Sequence, residues 1–354
     1  MNIFNAKIMR NRFSSNLFTA VYLKSKGGKK AFREFDELCG KRYPIREYGL
    51  STKDKKKLFY QYLYLRFKFG ASMIDYFLYE FYRSSDYDVS RYMTERDRVK
   101  LYRYADHKDY VHICADKKDF YDTFSEFMQQ DCIFVDGEED RDSFFSFVEG
   151  KKEIIAKPRD GQRGVGVTKL IVDTEEGIEK AWEYCLQGKL IAEKVITGCA
   201  ELEEFHPLSL NTIRVSTAVE KNGTPHIMAA TIRTGVRDNY VDNGHSDGVY
   251  AAIDVDTGII STIGYNANGE RFPLHPDSGK AFAGTQIPHW QELRELVLKA
   301  AKKVPQLRYI GWDWALNQDY QWILVEGNEP GGIDVHQHPG FVGLLQEYQD
   351  VLSE

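Results

Sequence analysis

The composition of the chain changes near residue 150, and this change limits the folds that are open to it. Residues 1–105 are rich in Lys, Arg, Tyr and Phe, and the spacing of their apolar residues is typical of amphipathic helices. From about residue 150 onward, short β-rich runs alternate with glycines and turn signals. A chain of 354 residues is long enough to bury two or three cores. We therefore predict an α+β protein, with a helical N-terminal region followed by a β-rich C-terminal two-thirds.

Local signals place individual elements along the chain. The run EIIAKP is predicted to be a strand that ends at Pro158, with a glycine-rich loop and the strand TKLIV after it. Asn222-Gly223 predicts a hairpin between two β-rich runs, and AAIDVDTGIISTIG repeats this pattern around Asp-Thr-Gly. The runs RYIGWDWAL and QWILVEGN are predicted to form the last hairpin. Residues 110–115, YVHICA, are predicted to be a short strand, followed by a helix that starts at Asp116.

Charge, cysteine content and hydropathy exclude several classes of protein. The net charge of −6 gives no overall electrostatic reason to bind nucleic acid. The five cysteines are scattered without a C-x-x-C pair, so neither a disulfide framework nor a zinc site is predicted. The N-terminus is too polar for a secretory signal, and no apolar run approaches membrane-spanning length. We expect a cytoplasmic protein without a transmembrane segment, although the basic first 105 residues leave peripheral membrane association open.

The first segment whose residues could bind a ligand is KPRDGQRGVGV, which begins at Lys157. Glycines at 161, 164 and 166 allow close approach of the backbone to an anion, and Lys157 at the strand end would reach a nucleotide phosphate. No Gly-Lys-Ser/Thr and no helix follow, which excludes a Walker A loop, and a strand in place of a helix excludes a dinucleotide-binding fingerprint. Taken alone, an ordinary glycine-rich hairpin explains the segment equally well.

The second segment is the predicted C-terminal hairpin, which carries Asp313, Glu326 and Asn328. In a hairpin that turns near residues 317–320, Asp313 comes within cross-strand reach of Glu326. Glu326 and Asn328 share one face because side chains alternate along a strand. Their ligand atoms are all oxygens, which suits Mg²⁺. One carboxylate held by a structural hydrogen bond would be unremarkable, but three such residues together favour a metal site.

The two segments together resemble the ATP-grasp superfamily over roughly residues 115–340. The resemblance is carried by KP-x-x-G-x-x-G-x-G-V, by LIAEKVI and by the terminal D…E-G-N. The runs NTIRV, VDNGH and GWDW…VEGN are similar to the sugar-transfer-associated ATP-grasp family. That resemblance implies an ATP-grasp fold with two α+β subdomains around ATP, preceded here by the helical N-terminal region. It divides the chain into a helical region at 1–105, a small mixed lobe at 106–150, a nucleotide-binding subdomain at 151–208 and a core subdomain at 209–354.

The resemblance also implies roles for individual residues in binding ATP and Mg²⁺. Lys117, or its neighbour Lys118, and Lys157 would bind phosphates, under a flexible loop that runs from Gly161 through Gly164 to Gly166. The hinge that contacts adenine would be Glu193, Lys194, Val195 and Ile196, with Glu201 at the ribose and Asp313, Glu326 and Asn328 at the metal.

Further polar residues are candidates for the reacting groups. Arg214, on a predicted strand, would bind the transferred γ-phosphate or the acyl-phosphate oxygens, with Asn211 assisting it. Lys157 is the second catalytic candidate, because it would neutralise charge on the phosphates. The residues predicted to bind the substrate are Asn211, Arg233, Arg237, Asn243 and His245. His336 and His338 are interpreted as surface or hydrogen-bonding histidines, because no third metal ligand with suitable spacing is evident.

The function implied by the resemblance is that of an ATP- and Mg²⁺-dependent carboxylate–amine ligase, which forms an amide through an acyl phosphate. A uronic acid or another sugar-linked carboxylate and a small amine or amino acid would be its substrates, in the making of surface polysaccharides. A kinase that phosphorylates a hydroxyl group, or a nucleotide-binding scaffold without turnover, would carry the same motifs. The role of residues 1–105 stays open between acceptor recognition, a dimer contact and docking to a membrane-bound assembly.

Overall fold

The first part of the chain is helical, as predicted. The computed structural model describes residues 11–128, 131–160, 166–238 and 248–353. The N-terminal helices are α1 (Arg12–Tyr22), α2 (Lys26–Lys41), α3 (Thr52–Phe69), α4 (Met73–Leu78), α5 (Asp86–Ser90) and α6 (Glu95–Tyr104). No helix within these described ranges is both long enough and apolar enough to cross a bilayer.

The longest of these helices shows why the segment folds as it does. The Ser51 side chain accepts a hydrogen bond from the backbone nitrogen of Asp54, which caps the N-terminus of α3. Phe59 of α3 is fully buried and packs against Phe35 of α2, with ring centroids 5.3 Å apart. The prediction that the aromatic residues of this region pack inward is therefore confirmed.

A small antiparallel sheet follows. Its strands are β1 (Cys132–Phe134), β2 (Glu153–Pro158), β3 (Thr168–Ile171) and β4 (Leu190–Lys194), in the order β1-β4-β2-β3. Two helices, α9 (Arg141–Val148) and α10 (Glu175–Gly188), supply the rest of its core, where the Phe144 and Trp182 ring centroids lie 5.5 Å apart. The strands predicted on each side of the glycine-rich loop, and the helix after them, are confirmed.

The second sheet is larger and forms the main core. Its strands are β5 (Thr212–Val219), β6 (Pro225–Thr234), β7 (Val249–Ile253), β8 (Gly264–Tyr265), β9 (Arg271–Phe272), β10 (Tyr309–Leu316) and β11 (Trp322–Asn328). The order is β11-β10-β5-β6-β7-β8-β9, with every neighbouring pair antiparallel. The hairpins β5–β6 and β10–β11 agree with the prediction. The strand expected after Asp-Thr-Gly is reduced to isolated bridges, such as Ile253 with Ile260.

The remaining helices cover or link the two sheets. They are α7 (His112–Ala115), α8 (Lys117–Met128), α11 (Ala200–Glu203), α12 (Trp290–Lys303), α13 (Asp334–Gln337) and α14 (Leu345–Ser353). The prediction of a strand at residues 110–115 is wrong, because this segment contains α7. The apolar residues of this segment recur at helical spacing and pack against the main core; they are Tyr110, Ile113 and Cys114. A short apolar run of this kind fits a helical turn as well as a strand.

Candidate active site

A cleft between the two sheets brings together residues that are far apart in the sequence. Lys117 enters it from the start of α8, Lys157 from the end of β2, Glu193 from β4 and Glu326 from β11. Its apolar walls come from Phe120, Tyr121, Met128, Phe134, Ile191 and Val325. Apolar walls around a few convergent charged groups are typical of a small-molecule binding site.

On the small-sheet side, the predicted phosphate-binding lysine is paired with the predicted adenine-binding carboxylate. Lys157 Nζ lies 2.6 Å from Glu193 Oε1, and only 12% and 8% of the two side chains are exposed. Strand pairing sets this contact, because Lys157 lies opposite Ile191 and Glu193 lies opposite Ile155 in adjacent antiparallel strands. Each charge of the pair is therefore balanced by the other inside the cleft.

The second lysine is held at the same end of the cleft. The backbone nitrogen of Lys117 donates to the carbonyl of Arg159 over 3.1 Å, which ties the first residue of α8 to the chain just after β2. Burial lowers the pKa of the Lys117 amine; Glu326 opposes this effect and the positive charge of Lys157 adds to it. Lys118, the alternative candidate, lies over the Phe134 ring at 5.0 Å, close to Asp122. The structure thus directs Lys117 into the cleft.

A pairing that the sequence analysis missed fixes this arrangement. Arg159 Nε lies 2.9 and 2.8 Å from the two carboxylate oxygens of Asp116, and the backbone nitrogens of Lys118 and Asp119 donate to Asp116 Oδ1. Asp116 therefore caps α8 and anchors it to the end of β2 at once. Its position at the start of the predicted helix was a usable signal, but its partner 43 residues away was not.

On the large-sheet side, Asp313 is the centre of a buried charge cluster. It lies directly opposite Glu326 on β11 and opposite Arg214 on β5. Arg214 donates through Nε to Asp313 Oδ1 and through its terminal amine to Oδ2 at 2.7 Å, while Arg233 donates to Oδ1 at 3.0 Å. Asn328 Nδ2 donates to Oδ2 over 3.1 Å. A carboxylate offers about four lone-pair sites, so both oxygens of Asp313 are fully occupied.

The two facing carboxyl groups differ in electrostatic environment. Burial alone would raise the pKa of Asp313, but Arg214 and Arg233 outweigh it and lower the pKa to about 2. For Glu326, burial and the negative charge of Asp313 raise the pKa, and Lys117, Lys157 and Arg214 only partly offset them. Asp313 is thus a fixed anion, whereas burial and Asp313 both disfavour the charged form of Glu326, an electrostatic cost that a cation in the cleft would relieve.

Close backbone contact completes the cluster. Arg214 donates to the carbonyl of Gly331 over 2.9 Å. A Cβ atom on Gly331 would lie 2.4 Å from the backbone nitrogen of Gly311, so only glycine allows the chain after β11 to approach β10 this closely. The arginine is consequently clamped between a carboxylate and a carbonyl.

The residues proposed for the metal share a suitable chemistry. Among the described residues, no three His, Cys, Asp or Glu side chains are grouped so as to hold a metal ion. Asp313, Glu326 and Asn328 instead offer two carboxylates and one amide, an all-oxygen donor set of the kind that Mg²⁺ accepts. These residues fit the ion, provided that it replaces hydrogen bonds that Asp313 now accepts from the arginines.

Buried histidines next to the cluster correct the sequence interpretation. His336 is not at the surface: it is 4% exposed, and neither ring nitrogen has a hydrogen-bond partner within the part of the chain that the structure describes. Burial, followed by the positive charge of Arg214, lowers the pKa of His336 to about 3. His338 is also buried, but its Nδ1 lies 2.8 Å from the hydroxyl of Tyr250, so only the hydrogen-bonding interpretation holds for it.

Other predicted residues lie outside the cleft or serve the backbone. The buried Asn211 amide donates to the carbonyls of Leu202 and His206, at 3.0 and 2.9 Å. The Arg237 backbone nitrogen donates to Asp277 at 2.6 Å, and the arginine itself is exposed. Both carboxylate oxygens of Glu201 accept from the Tyr320 hydroxyl, at 2.9 and 2.8 Å.

The remaining candidates belong to the hinge and to the loops. Lys194 ends β4, and Val195 and Ile196 lead from it toward Gly198, which bridges to Asn317 of the large-sheet hairpin. Gly166 has a φ of +78°, which favours glycine. The other predicted loop and substrate residues, namely Gly161, Gly164, Asn243 and His245, lie outside the described residues.

Comparison with known proteins identifies one family. The family described as sugar-transfer-associated ATP-grasp matches residues 96–352. No curated protein matches at a significant level.

Several solved structures are similar. The ATP-grasp ligase PsnB in complex with a minimal precursor is 13% identical, with 70% of this chain and 62% of that chain covered at a TM-score of 0.44. The ADP complex of purK, an N5-carboxyaminoimidazole ribonucleotide synthetase, is 9% identical, with 66% and 50% covered at 0.41. The L-amino acid ligase from Bacillus licheniformis is 12% identical, with 66% and 46% covered at 0.40. The chain therefore spans at most 62% of the length of these three proteins.

Proposed function

Because the chain belongs to the sugar-transfer-associated ATP-grasp family, we propose that it is an ATP- and Mg²⁺-dependent ligase that joins a carboxylate to an amine. The observation that carries the proposal is the cleft itself. Two lysines and two carboxylates from four separate elements converge there, next to the Asp313 cluster. Converging charged side chains of this kind are suited to binding a polyphosphate with a substrate carboxylate beside it.

ATP would be the substrate that lies along the cleft. Lys117 and Lys157 would neutralise its phosphates, and the lowered pKa of Lys117 reflects burial that a phosphate charge would offset. The apolar walls would hold the adenine base of ATP. Glu193 would lose its contact with Lys157 and accept a hydrogen bond from adenine instead. A magnesium ion held by Asp313, Glu326 and Asn328 would screen the negative charge on the phosphates.

The arginines would act on the second substrate. Arg214 and Arg233 share the Asp313 carboxylate, and a metal ion bound by that carboxylate would release their planar cations for the second substrate. A substrate carboxylate oxygen would attack the γ-phosphorus, and ADP would leave. The amine would then attack the acyl carbon of the acyl phosphate, which gives an amide. Phosphate would leave with the oxygen that came from the substrate carboxylate. No nucleophilic side chain is needed in this scheme.

The acid is proposed to be a uronic acid or another sugar-linked carboxylate, with a small amine or an amino acid as its partner. The family's association with sugar transfer supports this choice. Arg233 supports it too, because it adds a second cation beside Arg214 where an anionic substrate would meet the phosphate.

The test is the release of ADP and phosphate from Mg-ATP in the presence of a matrix of uronic acids and amines, with products identified by mass spectrometry. Release that requires both an acid and an amine, together with an amide product, supports the ligase. A stable phosphoester, formed with a hydroxyl compound alone, would replace it with a kinase. ATP binding without turnover across the matrix would favour the scaffold.

A matched pair of variants tests the site in the same assay. Lys157→Met removes a cation inside the cleft, and Lys169→Met removes an exposed lysine that pairs with Glu153 on the neighbouring strand. Only the first variant is expected to lose turnover. Equal loss in both variants would contradict the placement of the site.

A further inference from the structure

Helix α1 carries apolar side chains on its outer face as well as on its inner face. The inner face has Phe18, whose ring packs against Phe67 of α3, and the fully buried Ser15 and Thr19. Among the described residues, the Ser15 hydroxyl has no hydrogen-bond partner. Its outer face carries Phe13, Leu17 and Val21, which are 79%, 58% and 61% exposed. A surface helix ordinarily buries its large apolar residues and exposes its small polar ones. Here the apolar stripe points away from the protein.

The stripe is continuous along α1. Phe13, Leu17 and Val21 are spaced by four residues, so they lie in one row along the helix. Single exposed apolar residues need no explanation, but a row of three on one helix marks an interaction surface.

The surroundings of the row are strongly basic. From residue 11 to residue 33 the chain carries six Lys or Arg side chains and no Asp or Glu, although its overall net charge is −6. Lys24 follows the end of α1, and its backbone nitrogen donates to the carbonyl of Val21. Lys26, Lys29 and Lys30 begin α2, which packs against α1 where Gly28 approaches Tyr22. All four of these lysines are exposed.

We propose that α1 and the start of α2 form a docking surface for an anionic lipid bilayer. In it, Phe13, Leu17 and Val21 enter the boundary between headgroups and acyl chains, and the neighbouring lysines contact lipid phosphates. An exposed helix face with an apolar row and lysines at its end matches an interfacial helix, which lies in the plane of the membrane surface. A second copy of the chain is a poorer occupant, because a symmetric contact would bring two sets of lysines together. The proposal is independent of the proposed catalytic activity.

The experiment is sedimentation of the full chain with vesicles of phosphatidylcholine alone, or of phosphatidylcholine mixed with phosphatidylglycerol. Binding is expected only to the mixed vesicles and should weaken as salt is added. Replacing Leu17 and Val21 together by Gln should reduce partitioning by about tenfold or more. Replacing Lys24, Lys26 and Lys29 by Gln should reduce it by about fivefold per residue.

The control is Leu274→Gln, which removes an exposed leucine of similar accessibility, 53%, on the large-sheet side. It should leave binding unchanged, and equal unfolding midpoints would show that all variants are folded. Absence of binding to mixed vesicles would overturn the proposal. Binding that survives in the Leu17/Val21 variant, or that is lost equally in the control, would overturn it as well. A dimer in sedimentation velocity that dissociates in the Leu17/Val21 variant, without vesicle binding, would assign the surface to self-association instead.

Discussion

Two facing carboxyl groups in the same hairpin should differ in how much stability is lost when each is replaced by its amide. Asp313 and Glu326 are direct cross-strand partners, yet Asp313 is held by two arginines and Glu326 faces its negative charge. Asp313→Asn keeps the shape and removes the charge, which leaves two guanidinium groups, each with a side chain only 12% exposed, without their carboxylate. Glu326→Gln replaces a carboxyl group whose charged form burial and Asp313 both disfavour.

The magnitude follows from the ion pairs. A pKa of about 2 in place of the ordinary 3.8 corresponds to about 2 kcal/mol of stabilisation of the Asp313 anion. Uncovering two buried cations adds to this loss, and breaking buried pairs costs about 3–5 kcal/mol. We therefore expect Asp313→Asn to lower the free energy of unfolding by about 3–5 kcal/mol. Glu326→Gln should leave the free energy of unfolding unchanged within about 1 kcal/mol, or raise it.

The assay is urea unfolding at neutral pH, followed by tryptophan fluorescence, with ATP turnover measured on the same samples. Both variants should lose turnover, because both remove a proposed metal ligand. Equal stability losses in the two variants, or a larger loss in Glu326→Gln, would refute the electrostatic assignment. Wild-type turnover in either variant would refute the metal assignment.

Three further outcomes are expected. Burial lowers the pKa of His338 to about 3, so His338 is neutral when folded and binds a proton when unfolded below its ordinary value of 6.5. Stability should therefore fall as pH decreases from about 7.5 to about 5, by about 2 kcal/mol from this residue, and urea titrations should show a shallower pH dependence for His338→Gln. Gly327→Ala should destabilise the protein by about 1–3 kcal/mol, because its Cβ would lie 2.4 Å from a Phe120 ring carbon. Gly40→Ala, in α2 with open space around it, should stabilise by about 0.5–1 kcal/mol; thermal unfolding compares the two, and loss in both would contradict the packing argument. Lys157→Met should weaken ATP binding by about tenfold or more in calorimetry, whereas Lys169→Met should not; equal affinities would place the phosphates elsewhere.

Local patterns predicted the elements that contribute residues to the cleft. The hairpin with Asp313 opposite Glu326 followed from two apolar runs and a turn, and the strand ending at Pro158 followed from Lys-Pro. Each of these signals lies within a few neighbouring residues of the sequence, so it can be recognised without knowledge of the fold. The segment at 110–115 was mispredicted for the same reason, since a short apolar run fits a strand and a helical turn alike.

Contacts between distant segments could not be predicted. Arg233 lies 80 residues before Asp313, and the contact exists only because β6 pairs with β5 and β5 with β10. The burial of His336 depends on how the chain after β11 packs against the sheet. The spacing of apolar residues around His336 in the sequence does not predict that packing. The ion pair between Asp116 and Arg159 also joins two segments that are 43 residues apart, and neither segment contains a signal that predicts the contact.

The transfer of oxygen from the substrate to phosphate tests the account most directly. Uronic acids labelled with heavy oxygen in the carboxyl group are incubated with the protein, Mg-ATP and amines, and the released phosphate is analysed by mass spectrometry. An acyl phosphate predicts that each released phosphate carries one heavy oxygen atom from the acid, and that none does so in Glu326→Gln. Phosphate that is released with turnover but without the label would contradict carboxylate activation, and with it the function proposed for this cleft.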